Sequence, residues 1–161
     1  AYTHKFRYCD YTSKYFCSAC HKLQVSTIPA RVLEKWDFTP NSVSNFAYKW
    51  LDQIWNLPLF HVSDLNPKLY SKVKQLSAAR EARLQLKYVL EFIKQCRFAE
   101  NEQETIKKIP IHWIEDIDIW SMQDFMNVKD GTFTSRVQEV IKSCEDHIIK
   151  NSCEVRKFIN S

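Results

Sequence analysis

The stretch PKLYSKVKQLSAAREARLQLKYVLEFIKQCRFA, residues 67–99, decides the fold class. Pro67 sits where a first helical turn tolerates proline, Asn66 stands before it as an N-cap, and neither Gly nor Pro follows until Pro110. Apolar residues recur at helical spacing along Leu69, Val73, Leu76, Ala79, Ala82, Leu86, Val89, Ile93 and Cys96. Lys72, Arg80, Glu81, Lys87, Glu91 and Lys94 take the other faces. An unbroken helix over this stretch would be about 50 Å long, more than a small domain is wide, so it reads as a stalk or as two stacked segments.

Upstream, Val43, Phe46, Ala47, Trp50, Leu51 and Ile54 form a second helical stripe, with Ser42 as its expected N-cap and Pro58 closing it. Downstream, residues 100–109 are polar and read as an exposed connection. Ile109–Ile114 and Ile117–Trp120 read as short pieces that pack aromatics. Ser121-Met122-Gln123-Asp124 has the form of a capping box, Gly131 stops the helix it opens, and a last amphipathic helix starts at Ser135 and runs through Val137, Val140, Ile141, Cys144 and Ile148. The expectation is a mainly α fold: an N-terminal zinc-knuckle segment (1–40), a helical stalk with a long central helix (41–154) and an atypical tail (155–161).

Composition agrees with a packed helical domain. In 161 residues, 45% are hydrophobic and 14% aromatic with one glycine, which argues against disorder and against a turn-rich β fold. No stretch reads as a signal peptide or a membrane-spanning helix, and the chain reads as a soluble piece of a longer protein. Six cysteines without a secretory signal or a glycosylation acceptor favour reduced thiols in the cytosol. The net charge of +4 is uneven, with the first two thirds basic and the last third acidic. That gradient permits an acidic partner but is weaker than the clustered stripe of a nucleic-acid module.

The chemistry-bearing residues lie mostly at the start. Cys17 and Cys20 form a CxxC knuckle, half of a tetrahedral zinc site, with Cys9 and His21 as further candidate ligands. A thioredoxin-like redox pair and inert thiols are the alternatives. His147 and Cys153 are spaced like the start of a second metal cluster. Cys96 and Cys144 lie on apolar stripes and read as small core residues. His4, His61 and His112 lack ligand-spaced neighbours, and Glu115, Asp116 and Asp118 read as a solvated acidic edge. With one glycine, phosphate-binding loops and nucleophile elbows are absent, and the chain reads as no enzyme. Ile54, Trp55, Leu57, Leu59 and Phe60 are surplus apolar residues around a helix end and are candidates for partner binding, as are Tyr88, Leu90 and Phe92 off the main stripe.

The phrases RYCDYTSKYFCSACH (7–21) and IPARVLEKWDF (28–38), continued by VSNF (43–46), IWNLPLF (54–60), LYSKV (69–73), CRFA (96–99) and SMQD (121–124), resemble the Rubicon homology domain family over nearly all of the chain up to Glu154. Within the family, VSNF and IWNLPLF are most similar to the Rubicon and Pacer branch. The resemblance implies a helical stalk with zinc clusters and binding to the GTP form of the late-endosomal Rab GTPase, Rab seven. It also implies a parent protein that regulates autophagy and endosome maturation, partly through the Beclin-containing lipid kinase complex, in the cytoplasm and peripheral to late endosomes, lysosomes or autophagosomes. A rival reading is a zinc-finger module that binds anionic lipid or nucleic acid through Lys5, Arg7, Lys14, Lys22, Arg31 and Lys35.

The sequence departs from the family at both ends. An expected CxxC before Cys9 is absent, and after Cys153 the chain reads Glu154-Val155-Arg156-Lys157-Phe158-Ile159-Asn160-Ser161 in place of further zinc ligands. Val-Arg is what an intron-start consensus encodes, so residues 155–161 are expected to be intron read-through. A transcript sequenced across the codon for Glu154 checks this, and a message that always continues into Val155 refutes it.

Overall fold

The computed structural model describes residues 5–96 and 99–150. Cys153, His4 and the 155–161 tail lie outside the described residues. The chain begins with the hairpin β1 (Arg7–Cys9) and β2 (Lys14–Phe16), then β3 (Gln24–Thr27), α1 (Pro29–Lys35), β4 (Pro40–Val43) and α2 (Asn45–Ile54). It continues through β5 (Phe60–His61), α3 (Val62–Leu65), α4 (Lys68–Lys72), α5 (Lys74–Ile93) and α6 (Glu100–Lys107). Last come α7 (His112–Glu115), β6 (Ile119–Trp120), α8 (Met122–Asp130) and α9 (Thr132–Lys150). The described chain is mainly helical, and its three small sheets are antiparallel strand pairs, β1 with β2, β3 with β4 and β5 with β6.

The helix expected from Ser42 starts later. Ser42 and Val43 belong to β4, and Ser44 is the N-cap, its hydroxyl accepting from the Ala47 amide at 3.2 Å. The expected stripe divides accordingly: Ala47, Leu51 and Ile54 are buried, while Phe46 and Trp50 face solvent. With Cys9, Ile28 and Val43, these α2 residues form a small core, and β3 and β4 pair antiparallel with Gln24 opposite Val43 and Thr27 opposite Pro40.

The 67–99 stretch is two helices. Val73 takes an extended conformation (φ −114°, ψ 94°) and breaks α4 from α5, and α5 ends at Ile93 rather than Ala99. Twenty residues at the helical rise make α5 about 30 Å long. Asn66 does not cap: its amide donates to the Leu33 carbonyl at 2.8 Å and ties α1 to the start of α4. Residues 100–107 form α6, with Glu100 and Glu102 in the first turn and Lys107 in the last, each sign at the end the helix dipole favours.

The main core lies where α5 meets α8 and α9. Leu76, Ala79, Leu86, Leu90 and Ile93 of α5 pack with Trp113, Trp120, Phe125, Phe133 and Val137. Leu90 is buried, whereas Val89 is only half-buried; the stripe runs one residue away from the sequence expectation there. Tyr88 and Phe92 remain exposed.

The capping box at α8 forms in full. Ser121 Oγ accepts from the Asp124 amide at 3.0 Å and an Asp124 carboxylate oxygen accepts from the Ser121 amide at 2.9 Å. Gly131 ends α8 in the left-handed region (φ 84°), and a Cβ there would meet nothing within 4 Å. Gly131→Ala therefore tests backbone strain alone. A loss of about 1 kcal/mol in denaturant unfolding is expected, and an unchanged midpoint would contradict it.

Candidate functional site

The hairpin β1–β2 delivers Cys17 and Cys20 to the surface. The turn between them is closed by the Cys20 amide donating to the Cys17 carbonyl at 3.1 Å. Both thiols are exposed and face one another. Backbone N–H groups of Cys20 and Ala19 point at Cys17 Sγ, and with the Cys20 thiol they hold the Cys17 pKa below its ordinary value; the neighbouring Cys17 raises that of Cys20. An accessible thiol cradled by backbone amides, beside a second thiol, is the donor chemistry of half a zinc site, so these residues fit the metal.

Cys9 and His21 are placed differently. Cys9 is fully buried in the small core. Burial acts to raise its pKa, but hydrogen bonds from Thr12 and Ser44 outweigh it and the thiol stays below its ordinary value. His21 is buried with both ring nitrogens in use: Nδ1 accepts from the Leu23 amide at 3.1 Å, which leaves Nε2 to donate to the Tyr8 carbonyl at 3.0 Å. Ligation by His21 would exchange one of these bonds.

The exposed acidic edge expected at 115–118 is split. Glu115 is exposed, but Asp118 is held by Arg80 Nε at 2.7 Å, Arg80 Nη2 at 3.1 Å and the Tyr70 hydroxyl at 2.8 Å. The Arg80 guanidinium keeps the Asp118 carboxyl well below the usual carboxylate range. Burial, then the Asp118 carboxylate, raises Tyr70 well above its ordinary pKa. His61, Asp116 and Asp118 bring ligand atoms together, and among the described residues they are the one such group of three. Arg80 already supplies the cation that the Asp118 carboxylate requires.

His147 lies in α9 and is 3% exposed. Its Nε2 is 3.4 Å from Cys96 Sγ, and its Nδ1 is 3.4 Å from Glu102 Oε2. Cys96 and Cys144 are both buried. Burial, reinforced by Glu102 and Glu145, pushes the Cys144 thiol up to about 11, so it stays protonated near neutral pH. The Cys96–His147–Glu102 arrangement was not legible in sequence, because Cys96 and His147 stand 51 residues apart with no spacing rule to join them.

The five apolar residues near the end of α2 separate into two groups. Ile54 is buried in the small core, Trp55 donates from Nε1 to Gln123 Oε1 at 2.9 Å, and Phe60 pairs in the sheet with Trp120 and packs its ring toward Phe125. Leu57 and Leu59 are 47% and 53% exposed, on the segment between α2 and β5. Beside it, Val25, Ser26, Tyr48, Asp52 and Trp55 line a shallow groove. Of the basic residues near the start, Arg31 is committed internally to Asp10 at 2.9 Å and Asn41 at 2.7 Å, and Arg7 donates to the His21 carbonyl.

Comparison with known proteins places this architecture. The family model for the Rubicon Homology Domain matches residues 7–159. The chain is 38% identical over 151 residues to "Protein associated with UVRAG as autophagy enhancer" of Bos taurus, covering 94% of the chain and 22% of that protein. It is 38% identical over 159 residues to "Run domain Beclin-1-interacting and cysteine-rich domain-containing protein" of Mus musculus, covering 98% of the chain and 17% of that protein. It is 30% identical over 144 residues to "Differentially expressed in FDCP 8 homolog" of Drosophila melanogaster, covering 88% of the chain and 29% of that protein. The chain thus spans less than a third of the length of each of these relatives, and over nearly its whole described extent it belongs to the Rubicon homology domain family.

Proposed function

We propose that this chain is a non-enzymatic, zinc-binding adaptor domain that docks on the GTP form of the late-endosomal Rab GTPase, Rab seven, and so contributes to the regulation of autophagy and endosome maturation. Family membership supports the reading: one relative that carries this domain is named as an autophagy enhancer associated with UVRAG, and another as a Beclin-1-interacting protein. In this proposal the parent protein acts in the cytoplasm, peripheral to late endosomes, lysosomes or autophagosomes. Its contact with the Beclin lipid kinase complex belongs to that longer protein.

An active GTPase orders two switch segments and presents an apolar patch, and an adaptor recognises that state through differential affinity for the two nucleotide forms. Leu57 and Leu59 suit such a contact because they are exposed on a segment anchored by buried Ile54 on one side and the paired Phe60 on the other. Zinc at the Cys17–Cys20 knuckle would supply a structural cross-link that fixes the β1–β2 hairpin.

Calorimetric titration in zinc-containing buffer tests the reading, using the Rab loaded with a GTP analogue or with GDP. Selective binding of the GTP form is expected, and Leu57→Asp/Leu59→Asp should weaken it at least tenfold, since an apolar anchor replaced by a charge is a hot-spot loss. Both side chains are exposed, so the variant keeps the fold. Equal affinity for the two nucleotide forms would defeat the proposal. Binding of anionic vesicles that collapses with salt would favour the rival lipid-binding reading, because counterion release drives that association.

A further inference from the structure

We propose that the groove between α2 and β3 docks an extended segment of a protein partner, with Tyr48, Asp52 and Trp55 receiving a lysine or arginine side chain of that segment. The inference does not depend on the GTPase reading above.

Its first support is the shape of the groove. Tyr48, Asp52 and Trp55 stand at i, i+4 and i+7 along α2 and its C-cap, so they share one helical face. With Val25 and Ser26 of β3, that face lines a cavity of about 260 Å³. Small-molecule pockets span roughly 300–1,000 Å³, so this one suits a single long side chain better than a whole small molecule.

The second support is charge. A carboxylate flanked by a phenol and an indole favours a cation, through ion pairing and through the faces of the rings. Among the described residues Asp52 has no ion-pair partner, although Lys49 stands three residues before it on the same helix. Trp55, by contrast, is fixed in place. Its Nε1 donates to Gln123 Oε1 at 2.9 Å, and its carbonyl accepts from the Gln123 amide at 3.1 Å. One wall is therefore positioned in advance, while the carboxylate is left for an incoming cation.

The third support is the strand beside the groove. β3 is hydrogen-bonded to β4 along one edge and, among the described residues, to no strand along the other. The far side of β4 is not open in the same way, since the Ser42 carbonyl accepts from the Asp10 amide at 2.9 Å. An open edge is a template for an extended backbone, whose side chains alternate, so one can enter the groove while the next points away. Val25, 54% exposed, offers that segment an apolar contact.

The test is an NMR titration of the isotope-labelled whole chain in zinc-containing buffer. The probe is a short peptide of alternating threonine and valine with arginine at its centre, and companion peptides carry lysine, citrulline or glutamate there. The arginine and lysine peptides should shift the amides of Val25 and Ser26 and the indole N–H of Trp55. The citrulline peptide should bind about tenfold more weakly, and the glutamate peptide should leave these signals unmoved. Asp52 is exposed, so Asp52→Asn keeps the fold, which the rest of its spectrum verifies. It should weaken the arginine peptide about tenfold and remove most of the preference for arginine over citrulline.

Equal binding of the arginine and glutamate peptides, or an Asp52→Asn chain that retains the preference for arginine, would overturn the cation pocket. No shift at Val25, Ser26 and Trp55 with millimolar arginine peptide would overturn the docking site as a whole. If the same signals move with the concentration of the chain alone, a second copy fills the groove and the proposal fails.

Discussion

Replacing Arg83 by methionine is expected to cost about 3–5 kcal/mol of unfolding free energy. Arg83 is 0% exposed, yet among the described residues its hydrogen bonds go to carbonyls and to no carboxylate. Its Nε donates to the Trp113 carbonyl at 3.1 Å, Nη1 to the Ile119 carbonyl at 2.8 Å, and Nη2 to the carbonyls of His112 and Asp116. The guanidinium also lies 4.4 Å from the Trp120 ring centroid. One side chain from α5 thus donates to four carbonyls of the loop 112–119, among them that of Asp116, which also accepts from the Ile119 amide at 3.2 Å.

Burial lowers the Arg83 pKa to about 10, only partly offset by Asp124 and other acids, so the group remains a cation near neutral pH. Methionine would fill much of the volume but take the guanidinium donors from these carbonyls, and each one left buried with no other donor costs about 1–3 kcal/mol. Lysine would keep the charge and lose the fork, so Arg83→Lys should fall between methionine and the wild type. Denaturant unfolding followed by tryptophan fluorescence reads the loss. A penalty below about 1 kcal/mol for Arg83→Met would mean that water can replace the guanidinium, and the loop would then not depend on it.

Arg83 also shows where reading the sequence stops. A charged residue between Ala82 and Leu84 reads as part of a solvated face, and nothing local announces four carbonyls waiting on a segment about thirty residues away. Asp118 is the same case: it stands with Glu115 and Asp116 in an acidic run, and only Tyr70 of α4 and Arg80 of α5 separate it from exposed Glu115. The break at Val73 carries no glycine or proline, so propensity gave no stop and packing of α4 beside α5 decided it. The helix at 100–107 did carry a signal, acids first and lysine last, which its polarity obscured. By contrast, the Ser121–Asp124 box and the Gly131 stop were legible because a cap is local chemistry: its partners lie within four residues of one another. The metal-ligand candidates divide the same way. The CxxC knuckle declares itself by spacing, whereas the contacts that hold His147, with Cys96 and Glu102, form only after α5, α6 and α9 have packed.

Asp124→Asn should cost about 2–4 kcal/mol near neutral pH, and the difference from the wild type should shrink in acid. Asp124 does more than cap α8. One carboxylate oxygen accepts from Trp113 Nε1 at 2.9 Å, and the other from His112 Nε2 at 2.7 Å and the Ser121 amide at 2.9 Å. His112 and Trp113 link the cap to α7, the helix in which Arg83 holds the His112 and Trp113 carbonyls. Burial pulls the Asp124 carboxyl upward, but the bonds from His112, Ser121 and Trp113 outweigh it, and its pKa lies below the ordinary 3.8. An asparagine presents an N–H where one set of donors needs an acceptor, so at least one buried donor loses its partner. The sign of the pH dependence follows from the depressed pKa. The unfolded carboxyl takes up its proton near pH 4 while the folded one still resists. The stabilisation is therefore complete above about pH 4 and is lost as pH falls through the folded value. Asp118, also depressed, acts in the same direction and remains in the variant. Urea unfolding of both proteins at pH 7 and at about pH 3 reads the effect. A gap of the same size at both pH values would show that Asp124 stabilises the fold by packing, with no contribution from its charge.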